Sequence, residues 1–392
     1  MNYLEQRFSV QFNYKVFFTS DLFAESNKLL ENFLAERKES GTEAKILFVL
    51  DEGLVTANPS IPQKIRNYFS NADSFQLVSD LIIVPGGEAA KNNNIYFNQI
   101  LEAVHNHGID RHSYLIAVGG GAVLDLAGYA AAVAHRGIKH IRVPGTVLSQ
   151  NDSGVGVKNG INYFGKKNFL GSFVPPVAVF NDEQLLLSLD TRNWRSGISE
   201  AIKVALIKDA DFFYWIEDNV AALKDRNLNV MNQLVKRCAE LHLEHISGGD
   251  PFELGSSRPL DFGHWSAHKL EQLSQFTVLH GEAVAMGIAL DTLYSAISGR
   301  LDGDKAQRII QLIRDLGFEI THPLMQVKES GSPLLQGLEE FREHLGGRLT
   351  IMLLSDIGKG VEVNEMDPGL LEQAGEQLHA ISGAGYSRKV TA

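Results

Sequence analysis

"YLIAVGGGAVLDLAG", residues 114–128, joins an apolar run, three successive glycines and an amphipathic segment. The run YLIAV (114–118) is short and apolar, which reads as a buried strand, and AVLDLAGYAAAVAH (122–135) reads as a helix. The glycines between them form a strand-to-helix turn. Such a turn lets backbone approach a phosphate and places the charge at a helix N-terminus. It also serves as an ordinary tight turn, and the dinucleotide fingerprint GxGxxG is not met, because position 124 is leucine. Outward from this stretch the pattern repeats. KILFVL (45–50), LIIV (81–84), KHIRVP (139–144) and VAVF (177–180) read as further buried strands, IYFNQILEAVHNH (95–107) as a helix, and RFSVQFNYKVFF (7–18) as a strand or hairpin. Alternating strands and helices predict an α/β domain with a parallel sheet over residues 1–185. From about Thr191 the segments 196–208, 211–223, 229–246, 262–274, 280–298 and 304–316 read as helices, which predicts a mostly α-helical domain over 186–392. LTIMLL (349–354) reads as a strand returning to the core and GAGYSRKVTA as a loose tail.

Composition narrows the function classes. The 392 residues carry 36 basic and 47 acidic side chains, a net charge of −11, with no concentrated basic tract. That argues against nucleic acid as the main partner. The one cysteine, Cys238, allows no intrachain disulfide and suits a reducing compartment. The start, MNYLEQRFSVQF, lacks a basic region followed by a long apolar run. The most apolar stretch, 114–135, is interrupted by Gly119–Gly121 and Asp125, a poor membrane span. The expectation is a soluble, cytoplasmic protein with neither nucleic acid nor membrane as partner.

Ligands of open α/β sheets gather where the strands end. Asp51 follows the 45–50 run, and PGGEAAK, with Glu88 and Lys91, follows 81–84. An acid there can hold ribose hydroxyls or be a solvated loop residue. The stretch 144–171 reads as a glycine-rich loop carrying Asp152, Lys158, Asn162, Lys166, Lys167 and Asn168; lysines spaced along such a loop suit a phosphate, and by composition the stretch serves equally as a flexible surface loop. In SGISEAIKVALI (196–207) the only charges, Glu200 and Lys203, share one helical face. Burying them requires a mutual ion pair or a metal. In DFGHWSAHKLEQLSQFTVLHGEAVAMG (261–287), His264, His268 and Glu271 form one helical stripe, and His280 opens a second apolar helix. His264 and His268 could both reach one ion, but position 265 is tryptophan, so the metalloprotease motif HExxH fails. His268 serves equally as a proton donor or phosphate contact.

GGGAVLDLAG, RVPGTVLSQNDSGVGVKNGIN, FGKKNFLG, GISEAIK, DFGHWSAH and LHGEAVAMG, in this order, resemble the 3-dehydroquinate synthases and the wider sugar phosphate cyclases over about residues 45–295. The resemblance implies a Rossmann-like, NAD-binding N-terminal domain, a helical C-terminal domain and an active site between them. It implies a metal, Zn2+ or Co2+, held by Glu200, His264 and His280. NAD would meet Asp51, Glu88, Lys91, Gly120, Gly121, Asp125, Thr146 and Lys167. Lys203, His268, Asp152 and Lys158 would be catalytic. Asn162, Asn168, Arg258 and Asp261 would bind substrate. Arg136, in AHRG, would serve the neighbouring subunit's site, so a homodimer is implied. The implied reaction oxidises a secondary hydroxyl with NAD, eliminates phosphate, returns the hydride and closes a carbocycle by an intramolecular aldol step, a carbon–oxygen lyase overall. A metal-dependent NAD alcohol or glycerol dehydrogenase shares this implied architecture, and is the rival reading.

Three departures bear on substrate. Asp261 stands where 3-dehydroquinate synthases carry asparagine. No lysine stands near His242 or Leu243, where the family places one for the substrate carboxylate. Gly145 replaces the first threonine of the family's Pro-Thr-Thr. Asp261 resembles the cyclases of sedoheptulose 7-phosphate, whereas His268 resembles the dehydroquinate branch.

Overall fold

The computed structural model describes residues 2–38, 44–70, 75–248, 251–252, 259–328, 331–344 and 347–389. The chain divides into two compact units, residues 1–145 with 156–184, and residues 146–155 with 185–392. The first unit ends at Gln184, and the chain also leaves it after Gly145 and re-enters it at Gly156.

In the first unit the strands are β1 (Lys15–Thr19), β2 (Ala44–Asp51), β3 (Phe75–Val84), β4 (Tyr114–Gly119), β5 (Lys139–Pro144), β6 (Lys158–Tyr163), β7 (Lys166–Phe173) and β8 (Ala178–Asp182). Six form one sheet in the order β1-β8-β5-β4-β2-β3. Every pairing in it is parallel. Central strands of such a sheet are covered on both faces. Tyr114 to Val118 in β4 are accordingly fully buried, each large aliphatic contributing roughly 1.5–3 kcal/mol. The strand order runs outward in opposite directions from β2 and β4, which makes their C-terminal ends the switch point of the sheet. Asp51 ends β2 and Gly119 ends β4 there. The opening stretch thus forms the strand, turn and helix (Gly121–Val133) that its pattern predicts.

Two expectations are corrected in this unit. The strand is confined to Lys15–Thr19, the end of the 7–18 segment and one residue beyond; Phe8, Val10 and Phe12 lie before it and are exposed. The 144–171 stretch is not one loop. Its second half is the antiparallel hairpin of β6 and β7. Arg142, fully buried in β5, roots it by donating to the carbonyls of Gly156 at 2.8 Å and Lys158 at 2.7 Å, and to Asn159 Oδ1 at 2.7 Å. Gly128 leaves room for that root, since a Cβ there would stand 1.8 Å from Asn159 Oδ1.

The second unit is helical: Thr191–Ser196, Ile198–Lys208, Ala210–Asp218, Val220–Lys224, Leu228–Ser247, His264–Leu273, His280–Ile297, Gly303–Asp315, Gln336–His344 and Pro368–Lys389 are its longer pieces. The expected 196–208 helix is broken at Gly197, whose Cβ would meet Leu148 N at 2.4 Å, and the expected 211–223 helix is broken at Asn219. The 349–354 segment returns to the core of this unit, where Ile351 to Leu354 are buried. Among the described residues it is strand β9 (Ile351–Asp356), paired with β10 (Lys359–Val363) in a two-stranded sheet. The supposed loose tail is helical through Lys389. His280–Ile297 is apolar on nearly every side and buried along most of its length, as a central core helix must be. Among the described residues no helix is long and apolar enough to cross a membrane.

Candidate active site

Each unit gathers polar side chains separately. At the switch point of the first unit, Asp51 Oδ1 accepts from the amides of Gly53 (2.9 Å) and Leu54 (3.2 Å), and Oδ2 from Gly120 at 3.3 Å. A Cβ on Gly119 would stand 2.5 Å from the Asp51 side chain. The glycine turn is therefore packed against Asp51, and the helix that follows has no side-chain cap at Gly120, leaving its first amides for an external acceptor. Lys91, 2% exposed, pairs with Asp125 at 2.8 Å and touches Asn168. Asn162 donates to Glu88 (2.7 Å) and Asn92 (2.6 Å) and accepts from the Asn168 amide at 2.8 Å. Lys167 lies 3.4 Å from Glu88. So Glu88, Lys91, Asp125, Asn162, Lys167 and Asn168 come together, because the β6–β7 hairpin carries three of them to the ends of β3 and β4. Lys158 begins β6 and is exposed; Arg136 is exposed in a turn where His135, Arg136 and Gly137 all have positive φ. Arg258 lies outside the described residues. Thr146 belongs to the other unit, where its hydroxyl and that of Ser149 lie 2.8 Å apart.

The second unit centres on Glu200, which is fully buried in the Ile198–Lys208 helix. Lys203, 3% exposed, pairs with it one turn on. His280 Nε2 and His264 Nε2 lie 3.3 and 3.6 Å from Glu200 Oε1. The ligating atoms of Glu200, His264 and His280 all fall within 4.8 Å of one another. His264 Nδ1 donates to the Phe262 carbonyl at 3.1 Å, which fixes the tautomer and leaves Nε2 as a free lone pair. Burial, then Lys203, pushes the His264 imidazole down to about 4, so the ring is neutral at pH 7 as a ligand must be. Apart from the Lys203 ammonium on Oε2, neither buried oxygen of Glu200 has a well-aligned hydrogen-bond donor among the described residues. A buried carboxylate facing two imidazole lone pairs, with donors short, fits a divalent cation of the zinc or cobalt kind. His268 lies beside this set, its ring 5.4 Å from His264 and 5.8 Å from His280.

Electrostatics shape the rest. Burial alone would raise Glu200; Lys203 outweighs it and brings the carboxyl to about 2. For Asp152 burial is likewise overcome, by Lys203 and then His242, which hold it well below the usual carboxylate range. Burial would lower Lys203, but Glu200, Asp152 and, more weakly, Asp261 raise it above the ordinary lysine value. Sequence reasoning saw His242 only as the place of an absent lysine. In the structure its Nδ1 lies 2.9 Å from Asp152 Oδ1, ninety positions away. Asp291 was missed altogether. Fully buried, it accepts from Trp265 Nε1 (3.0 Å) and Gly263 N (3.1 Å), pinning the residues that flank His264. Only a lone acid in an apolar helix could have signalled it.

The first turn of the His280 helix is equally tight. A Cβ on Gly281 would stand 1.8 Å from the Ser196 carbonyl oxygen. Gly281→Ala is expected to destabilise the protein by about 1–3 kcal/mol, as overpacking typically does, and to loosen ion binding through His280. Thermal unfolding with and without Zn2+ checks both.

A parallel sheet with an uncapped glycine turn in one unit, and a carboxylate with two histidines set for a metal in a helical one, define the class: a dinucleotide-type α/β fold joined to a metal-ligating helical fold. The 3-dehydroquinate synthase N-terminal family model matches residues 81–196 and the C-terminal one residues 197–336. A 3-dehydroquinate synthase of Psychrobacter arcticus is 33% identical over 93% of this chain and 93% of its own. Among solved structures, 2-epi-5-epi-valiolone synthase from Streptomyces hygroscopicus subsp. jinggangensis, with NAD+ and Zn2+ bound, superposes with a TM-score of 0.86 at 26% identity, over 96% of this chain and 99% of its own. A 2-deoxy-scyllo-inosose synthase complexed with carbaglucose-6-phosphate, NAD+ and Co2+ gives 0.76 at 22%, over 92% and 96%, a likeness of fold. The chain belongs to the 3-dehydroquinate synthase family of sugar phosphate cyclases.

Proposed function

We propose that the protein is a metal- and NAD-dependent sugar phosphate cyclase, a phosphate-eliminating lyase, whose substrate is a heptulose 7-phosphate without a carboxylate, of the sedoheptulose 7-phosphate type. Glu200, His264 and His280 hold Zn2+ or Co2+, and the uncapped helix start at Gly120 and Gly121, with the Glu88–Lys91–Asp125 cluster and Lys167, receives NAD. When bound, NAD supplies reversible hydride transfer and the ion supplies Lewis-acid polarisation of a substrate oxygen. Lys203, held protonated by its carboxylates, donates a hydrogen bond or proton to a substrate oxygen. Asp152, held ionised, accepts one, and His242 fixes its orientation. His268 faces the reacting carbons, and Lys158, Asn162 and Asn168 on the hairpin receive the phosphate.

One observation carries the substrate half. Asp261 adds a third carboxylate to Asp152 and Glu200 around Lys203. A divalent ion and Lys203 together balance those three negative charges, so a neutral-headed substrate completes the site, whereas a carboxylate would meet uncompensated repulsion. The second reading, 3-dehydroquinate synthase itself, is favoured by the name of the relative that is 33% identical. The test is phosphate release from sedoheptulose 7-phosphate and from the carboxylated heptulosonate 7-phosphate. Turnover of the first, without net NADH, supports the proposal; rapid turnover of the second alone overturns it. Asp261→Asn is expected to shift kcat/KM toward the carboxylated substrate at least about tenfold, the effect of removing one opposed charge worth about 1.4 kcal/mol.

The family's homodimer is proposed for this chain as well, with Arg136, presented on its turn of positive φ, reaching the neighbouring subunit's site. Light scattering checks it.

A further inference from the structure

The acid Glu271 lies two helical turns beyond His264 on the same helix, and its side chain is 3% exposed. Its Oε2 stands 3.0 Å from Nδ1 of His280, which belongs to the next helix. Glu271 is not among the residues expected at the site. An ionised carboxylate can only accept, so with Glu271 as a carboxylate the proton would sit on His280 Nδ1, and Nε2, 3.3 Å from Glu200 Oε1, would be the ligating nitrogen. The two histidines of the cluster are thus held unequally: His264 by the neutral carbonyl of Phe262, and His280 by a buried charge.

We propose that Glu271 is the positioning residue of the metal centre: it locks the His280 ring with Nε2 forward and, as a carboxylate behind the imidazole, makes that nitrogen the stronger donor. This rests on the reading that Glu200, His264 and His280 hold the ion. Outer carboxylates of this kind orient a ligating histidine and raise its basicity. The placement also ties two helices together. Glu271 shares the His264 helix, so its bond to His280 sets the spacing of the two ligands as well as the rotation of one. A competing use of the same atoms exists, because donor atoms of His268, Glu271 and His280 also fall within 4.8 Å of one another. A second ion there would have to displace the proton from His280 Nδ1 and make that ring a bridge between two cations.

The experiment measures Zn2+ affinity by chelator competition, and Co2+ absorption, on the full chain and its variants. Glu271→Gln keeps the shape but removes the charge. It is expected to weaken Zn2+ binding about tenfold to a hundredfold and to alter the Co2+ spectrum, with one ion per chain and an unchanged melting temperature of the metal-free protein. Glu271→Asp is expected to recover part of the affinity, and His268→Gln to leave it as in the parent chain. Unchanged affinity in Glu271→Gln overturns the proposal, as do two ions per chain or equal losses in the Glu271 and His268 variants. Nitrogen NMR of histidine-labelled, Zn2+-loaded parent protein reads the same point without any variant: Nε2 of His280 bound and Nδ1 protonated is expected, and the reverse overturns the proposal. Failure of the metal reading itself is distinguishable, because then the parent chain binds no ion, or Glu200→Gln binds it undiminished.

Discussion

Glutamine in place of Glu200 is expected to strip the divalent ion from the protein and to lower phosphate release more than about a hundredfold, beyond the loss that removing an outer partner produces. The change is nearly isosteric, so the packing of the Ile198–Lys208 helix is preserved. Lys203 keeps the electrostatic support of Asp152 and Asp261, and the Asp152 charge that opposed Glu200 no longer meets a like charge. The metal-free variant should therefore stay folded but lose the stability that the buried Glu200–Lys203 pair contributes, while metal content after dialysis and the rate of phosphate release both collapse. A variant that retains its metal and its turnover would remove Glu200 from the centre.

Lys203→Met is the second large effect, and it acts on stability as well as turnover. Lys203 is the cation around which Glu200, Asp152 and Asp261 are arranged. Removing one member of a buried charged set leaves the others uncompensated and costs about 3–5 kcal/mol. The pH dependence fixes the cause. Glu200 falls from its ordinary 4.5 to about 2 in the folded protein, so its contribution is present above pH 4.5 and is lost as pH falls toward 2. Lys203 is raised above its ordinary 10.5, so its contribution is present below that pH and is lost as pH rises through the folded value. The gap between parent and variant in urea should thus be widest between about pH 4.5 and 10.5 and close toward pH 2. A gap independent of pH would mean that Lys203 acts through packing alone.

Much of this was legible in the chain. Buried strands such as β4 announced themselves because apolar side chains must leave water, and Glu200 stood out as an acid in an apolar helix. The helical spacing of His264, His268 and Glu271 also survived folding unchanged. The hairpin of β6 and β7 was not legible, because its buried positions include Asn159 and Asn162, polar side chains satisfied by hydrogen bonds instead of hidden by hydrophobicity. His242 and Asp291 escaped for a related reason. Their meaning lies in partners ninety residues away for one and about two dozen for the other, and no local period encodes such a pairing. The terminal helix escaped through its glycines and serines, which weaken helix propensity without abolishing it once the apolar face of Leu371, Ala374 and Leu378 is buried.

The excursion of residues 146–155 has a consequence for how this protein can be divided. The chain passes between the two units at 145, at 155 and at 184, so three covalent links join them. A cut after Gln184 would not yield two clean modules. The front fragment would carry away Val147, a core residue of the rear unit, and Asp152, the partner of His242. Splitting the chain after Gln184 therefore takes these ten residues out of the unit they pack in.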